Sequence, residues 1–522
     1  MKSFLLLFAA VTACGVLHAQ PAASPAPSAT PAKATDNEPT RVSVTEHSIT
    51  VNGQVLKYKA TAGYITLSDD KAGDDKDAKP DDAKGAPPAA GKPKAKIFFV
   101  AYTREGMDPA TRPVSFAFNG GPGAASVWLH LGQLGPRRLK LDELAPNQGP
   151  PYSLVDNDLT WLTDTDLVFI DPVSTGYSRA VDGTKPDEFH GVEEDIKSVG
   201  DFIRLYTTQN NRWLSPKLIV GESYGGTRAA GLAEYLQDDL NLYINGVIIV
   251  SGVMNWQSMA FSPANDIPYC LAIPSYASIA WYYKKDAPEY QQKDVREVRK
   301  EAEQFAMSDY LQAISKGGAL PDADKQQIAA QLAKLTGVPL DYILQHNLRI
   351  SIYAFREQLL KSAGRAPGRF DGRYSGIVYD PDDDLGDASF VAVRGAFAST
   401  INSYLRNELK FDSDLPYEIL ANVEPWKFDS ENSYLDVAVK LGRAMTENPR
   451  MKVWILTGCD DLAVAYYSTA YTIDHMQLRP EIRQNLTFSE YESGHMIYVD
   501  QNAAKVMRDD FGRFLRSAVE SK

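Results

Sequence analysis

Gly221-Glu222-Ser223-Tyr224-Gly225 fits the pattern G-x-S-x-G. A serine hydroxyl attacks a carbonyl only when a base removes its proton, and this pentamer suits a sharp strand-to-helix turn that exposes such a hydroxyl. The pentamer is a weak signal alone, but its flanks strengthen it. Leu218-Ile219-Val220 leads in as a strand, and Gly226, Ala229, Ala230 and Ala233 open a helix. The glycines fit because side chains there would clash as the turn tightens. The base is sought among seven histidines. His18 lies in the N-terminal apolar segment and His47 in a hairpin, while His130 and His190 precede the serine. His346 and His475 sit on helical patterns. His495, in Glu492-Ser493-Gly494-His495-Met496, directly follows the last strand-like run and fits the chain order serine, acid, histidine.

The acid should follow the penultimate strand, where Thr457-Gly458-Cys459-Asp460-Asp461-Leu462 offers two carboxylates. Asp461 is preferred as the partner of the imidazole, with Asp460 the alternative; the other is expected to be solvated or to cap the next helix. Asn119-Gly120-Gly121-Pro122-Gly123 follows a strand, and its bare backbone can approach a ligand closely. A glycine amide there, with the N–H of Tyr224, supplies two donors for an oxyanion. A phosphate loop fits poorly, because no Gly-Lys-Ser/Thr follows. This chemistry calls for no cofactor and no metal.

These residues need a frame that brings distant loops together. Apolar runs at 97–102, 114–119, 167–170, 218–220, 246–250, 452–456 and 486–491 alternate with helical spacings at 192–208, 226–237 and 502–518. Such alternation predicts a mostly parallel sheet with helices on both faces. Residues 48–51 and 54–58 flank Asn52-Gly53, a hairpin signal. Core segments are expected over 41–255 and 433–522. Residues 68–96, rich in Asp, Lys, Gly, Ala and Pro, are expected to form a disordered loop. The interval 256–432, with helical spacings at 293–315, 323–335 and 340–362, reads as a largely helical lid inserted between two strands.

The chain has 522 residues, 67 acidic against 54 basic, for a formal charge of -13. Without a dense basic stretch, a nucleic-acid binder is excluded. Three cysteines exclude a disulfide-dense scaffold and a cysteine-rich metal site; Cys270 and Cys459 are expected as buried thiols. Lys2 precedes an apolar run, 4–11, too short for a membrane span, so 1–19 reads as an export signal cleaved after Ala19. Val11-Thr12-Ala13-Cys14 offers the alternative of a lipobox, with a lipid anchor on Cys14. Both imply a periplasmic, secreted or envelope-anchored protein, with 20–40 as a Pro/Ala-rich tether.

Taken together, the motifs resemble those of the serine carboxypeptidase family, the S10 peptidases. Asn119-Gly120-Gly121-Pro122-Gly123 is similar to its NGGPG segment, Asp171-Pro172-Val173-Ser174-Thr175-Gly176-Tyr177-Ser178 to its D-x-P-x-G-x-G-F-S stretch, Gly221 to Gly226 to its GESYAG elbow, and Gly494-His495-Met496 to its GHM. The resemblance implies an α/β-hydrolase fold and removal of C-terminal residues from peptides. It implies a triad of Ser223, Asp461 and His495, an oxyanion hole from Gly121 and Tyr224, and capture of the substrate carboxylate by Asn119 and Glu222. A Glu can bind a carboxylate only by sharing a proton, which implies an acidic preference. Three departures stand out: Ala124 where many members have Cys, Gln133 where an acid is expected, and Thr227-Arg228 where His-Tyr is frequent. The same triad would also serve an esterase or acyltransferase, and a non-catalytic envelope binding protein is the remaining alternative.

Overall fold

The computed structural model describes residues 42–69, 91–141, 149–379, 386–428 and 430–520. The expected export signal, Cys14 and the expected tether lie outside these residues. The frame is one sheet of strands β1 (Ser43–Val51), β2 (Gln54–Ser68), β3 (Pro93–Arg104), β4 (Val114–Phe118), β5 (Asp166–Ile170), β6 (Lys217–Glu222), β7 (Gly246–Val250), β8 (Lys452–Gly458) and β9 (Leu486–Tyr491). Their order is β1-β2-β3-β5-β4-β6-β7-β8-β9, and Arg179–Ala180 pairs with β3 outside that path. From β5 through β9 the neighbours are parallel, while β1, β2, β3 and β5 pair antiparallel. This is the α/β-hydrolase architecture, with the expected hairpin closing Val51 on Gln54 through Asn52 and Gly53, both at positive φ.

The strand pattern explains why the sheet needs helices on both faces. Along β3, Phe98, Val100 and Tyr102 enter one apolar cluster, and Ile97, Phe99 and Ala101 enter another. The same alternation recurs in β7, where Ile248 and Val250 face opposite to Val247 and Ile249. Each fully buried side chain of this kind is worth roughly 1.5–3 kcal/mol, so neither face tolerates water. Helices Ala388–Asn407 and Gln501–Val519 cover the first face; Val192–Gln209, Tyr224–Asp238 and Ala438–Glu447 cover the second.

Three expectations require correction. Residues 93–96, read as part of a loop, belong to β3: Ala95 opposes Leu67 and Lys96 opposes Thr66, with Ala95 and Ile97 buried. The alternation of apolar residues already starts at Ala95, and the composition of the preceding stretch masked it. Residues 70–90 lie outside the described residues. The interval read as one lid also divides. Its own apolar cluster runs from Cys270 to Leu360, closed by Leu462 of the body. The later part belongs to the body: Val393, Phe397, Ile401 and Tyr404 pack on the first sheet face, at the three-and-four spacing of a buried helix face. The stretch read as helical over 340–362 breaks between Leu340–Gln345 and Ile352–Leu359, where Asn347 and Leu348 take positive φ.

Candidate active site

Every sequence-predicted site residue lies at or just beyond the C-terminal end of a parallel strand. Ser223 follows β6 directly and caps helix Tyr224–Asp238 with φ 62° and ψ -127°. A non-glycine residue in such a conformation stores roughly 1–3 kcal/mol of strain, which the surrounding hydrogen bonds must hold. Ser223 N–H donates to Val250 O at 3.0 Å, and Ser223 O accepts from Gly226 N at 2.8 Å. The flanking glycines are demanded sterically: a Cβ on Gly221 would lie 2.0 Å from Gly225 O.

The Gly120-Gly121 backbone packs directly on this elbow. A Cβ on Gly120 would stand 2.4 Å from Tyr224 N and 2.5 Å from Gly225 N. Gly121, at φ +101°, and Tyr224 at the first turn of its helix have no backbone acceptor for their N–H groups among the described residues. Two such donors on adjoining segments are of the kind that suits a developing negative charge. A buried cation holds the segments together. Arg228 donates from Nε to Asp195 Oδ2 at 2.7 Å and from Nη1 to Asn119 O at 2.6 Å, and it is 1% exposed.

Asp461 and His495 meet. Nδ1 of His495 lies 2.7 Å from Asp461 Oδ2, and both side chains are buried. An ionised carboxylate can only accept, so Nδ1 carries the proton and Nε2 is left free to take one. The other carboxylate oxygen, Oδ1, accepts from Ala463 N at 2.6 Å and Val464 N at 2.9 Å, which fixes its orientation. Burial works against the imidazolium, but the charge and hydrogen bond of Asp461 outweigh it and raise the proton affinity of His495 above its ordinary value. Ser251 links this loop to the elbow, donating to His495 O at 2.8 Å from the segment whose Val253 N–H reaches Ser223 O at 3.4 Å.

Asp460 behaves otherwise than expected. It neither faces solvent nor caps a helix; it is buried and accepts from Ser278 Oγ at 2.7 Å, beside Arg373 at 3.5 Å. Adjacent carboxylates on one turn point opposite ways, one to the imidazole and one to the lid. The other histidines lie elsewhere. His130 is buried against Phe169 and Tyr102, and burial pushes its pKa down to about 3. His346 and His475 close helices on the carbonyls of Tyr342 and Tyr471.

Glu222 and Asn119 adjoin the elbow. Burial pushes the Glu222 carboxyl up to about 7, against the charge of His495 and hydrogen bonds from Tyr498 and Asn119. Tyr498 Oη donates to Glu222 Oε2 at 2.7 Å. Gln133 does not join them: its Nε2 donates to Ala504 O at 2.8 Å. The Asp171 motif acts one layer below, where its Oδ1 accepts from Ser126 N at 2.9 Å and Ser126 Oγ at 2.7 Å and so ties down the chain after Gly123.

A family model described as serine carboxypeptidase, Peptidase S10, matches residues 84–508. The chain belongs to the serine carboxypeptidase family. Carboxypeptidase Y of Saccharomyces cerevisiae is 28% identical over 167 residues, 30% of this chain and 28% of that protein. The lysosomal protective protein of Mus musculus is 24% identical over 165 residues, 31% of this chain and 32% of that protein. The aligned segments thus span under a third of these relatives. Among solved structures, Kex1Δp, a prohormone-processing carboxypeptidase from Saccharomyces cerevisiae, shares the fold with TM-score 0.54 at 18% identity, over 88% of this chain and 91% of that one.

Within the family frame, three residues escaped the sequence reading. Tyr498, Phe370 and Arg373 reach the site from a turn after His495 and from the segment that follows Arg365–Pro367. Phe370 stacks on His495 with ring centres 4.9 Å apart, and its carbonyl accepts from His495 N at 2.6 Å. Tyr498 had a legible signal, a polar-tipped aromatic three residues past His495; Phe370 and Arg373 had none, since only tertiary folding brings them there. Cys270 and Cys459 are buried free thiols. Among the described residues, no helix is long and apolar enough to cross a membrane.

Proposed function

We propose that this protein is a serine carboxypeptidase that releases C-terminal residues from peptides through an acyl-enzyme. Ser223 Oγ attacks the scissile carbonyl as His495 Nε2 takes its proton, and Asp461 holds the tautomer and steadies the imidazolium. The N–H groups of Gly121 and Tyr224 receive the oxyanion. His495 then protonates the leaving amine, and water, activated by the same imidazole, frees the acyl group. Glu222, protonated below about pH 7, and Asn119 hold the substrate's terminal carboxylate. The observation that carries this reading is the buried Asp461–His495 pair at 2.7 Å on the same sheet edge as the strained Ser223 elbow.

Turnover of an N-blocked dipeptide and of its C-terminal amide tests it. The free acid should be cleaved, the amide should be a much poorer substrate, and Ser223→Ala should abolish both activities while keeping the fold. Equal turnover of acid and amide would favour an esterase or amidase reading, and undiminished activity in Ser223→Ala would remove the triad. We further propose export, on the strength of Lys2 and the apolar run after it. The intact mass of the mature chain checks this: it should begin at Gln20, or at a lipidated Cys14, and a cell-associated chain starting at Met1 would refute it.

A further inference from the structure

The wall beside His495 carries two cations that have no ion pair among the described residues. Phe370, stacked on the imidazole, meets Phe390 edge to face at 5.5 Å, and Phe390 lies 5.6 Å from the Trp128 ring. The Arg369 guanidinium sits 5.9 Å from the Phe370 ring centre, and that of Arg394 sits 5.7 Å from Phe390. Both arginines are exposed, and neither guanidinium has a hydrogen bond or ion pair with another described residue. The neighbouring acid, Asp387, is already committed: its Oδ1 accepts from Arg369 N at 3.0 Å and its Oδ2 from Phe370 N at 3.2 Å.

Arg369 is held at the site by its backbone. Its carbonyl accepts from Leu462 N at 3.0 Å, next to Asp461, and the following residue accepts from His495 N. The charge of Arg369 reaches the imidazole, where it opposes protonation. A guanidinium lying against an aromatic ring keeps its forked N–H donors free, a geometry suited to a carboxylate.

We infer that Arg369, together with Arg394 over the neighbouring Phe390 ring, selects substrates whose C-terminal residue has an aspartate or glutamate side chain. The inference rests on the carboxypeptidase reading above. In that reaction His495 hands its proton to the leaving amine, so the released residue lies against the imidazole and its surrounding wall. Its backbone carboxylate goes to Asn119 and Glu222; its side chain faces the phenylalanines and their two cations. The chain's overall charge of -13 repels acidic peptides only weakly at this range, because salt screens charges beyond about 8 Å. The local arginines therefore decide.

The test compares kcat/KM for three blocked dipeptides with one penultimate residue and C-terminal Glu, Gln or Lys. Wild type should prefer Glu over Gln by about two- to fivefold, the range for a solvent-exposed ion pair, and the preference should shrink in high salt. Arg369→Gln should bring the Glu/Gln ratio near one, and Arg369→Glu should favour Lys. Because both arginines are exposed, these variants should fold. A wild-type preference for Lys, or a Glu/Gln ratio unmoved in Arg369→Glu and in the Arg369→Gln/Arg394→Gln double variant, would overturn the inference and leave the carboxypeptidase reading intact. Failure to cleave any of the three peptides would overturn both.

Discussion

At the scale of single residues, the proposed capture of the substrate carboxylate by Glu222 makes binding depend on pH. Burial raises its pKa to about 7, with the charge of His495 and the Tyr498 and Asn119 hydrogen bonds opposing. Below that value the carboxyl keeps its proton and can donate it to a substrate carboxylate. Above it, two anions would face each other at short range, so only the shrinking protonated fraction binds. KM for a free-acid dipeptide should therefore rise as pH passes 7, approaching about tenfold per unit. In Glu222→Gln the amide donates at every pH, and KM should stay flat between pH 6 and 8. Steady-state kinetics across that interval checks this, and a KM in the variant that still climbs would assign the titration to another group.

Secondary elements differ in how openly the sequence announced them. The hairpin at Asn52-Gly53, the parallel strands and helices Val192–Gln209 and Tyr224–Asp238 follow from local periodicity and turn chemistry, so reading the chain was enough. The elbow was legible for the same reason: its glycines answer a clash within five residues. What stayed hidden depends on packing between distant segments. Helix Ala388–Asn407 has the pattern of any amphipathic helix, and nothing local says whether it covers a lid or the sheet; its burial with Trp128 and Tyr102 decides for the sheet. Asp460 and Asp461 are chemically identical neighbours, and their opposite partners, Ser278 and His495, lie 182 and 34 residues away. The acid that meets His495 was thus legible as a pair of candidates, with the pairing itself fixed by tertiary structure.

In the molecule as a whole, the turn at Asp371 and the Asp461 and His495 loops share one electrostatic joint at Arg373. Its Nε and Nη2 donate to Asp371 at 3.0 and 2.8 Å, while Nη1 reaches Glu492 O at 3.0 Å and Asp500 Oδ2 at 3.3 Å. Asp460 lies 3.5 Å from its Nε, and burial has already pushed that carboxyl up to about 6, with the Arg373 charge the main force opposing the shift. One cation thus neutralises Asp371, Asp460 on the Asp461 loop and Asp500 beyond the His495 loop. Arg373→Met leaves those acids unpaired, which should cost roughly 3–5 kcal/mol at pH 8. The sign of the pH effect follows from Asp460. Its folded pKa lies above the unfolded value of about 3.9 and would rise further without the cation, so the folded variant holds a proton that the unfolded chain has released. That contribution to stability is present at low pH and is lost as pH rises through the folded pKa. Thermal unfolding should therefore show a wide gap between wild type and Arg373→Met at pH 8 that narrows at pH 5. Because the same cation anchors Glu492 and Asp500 on either side of His495, kcat should fall at temperatures where the variant is still folded. A gap independent of pH, or full kcat in the folded variant, would mean that the loops hold their places without this joint.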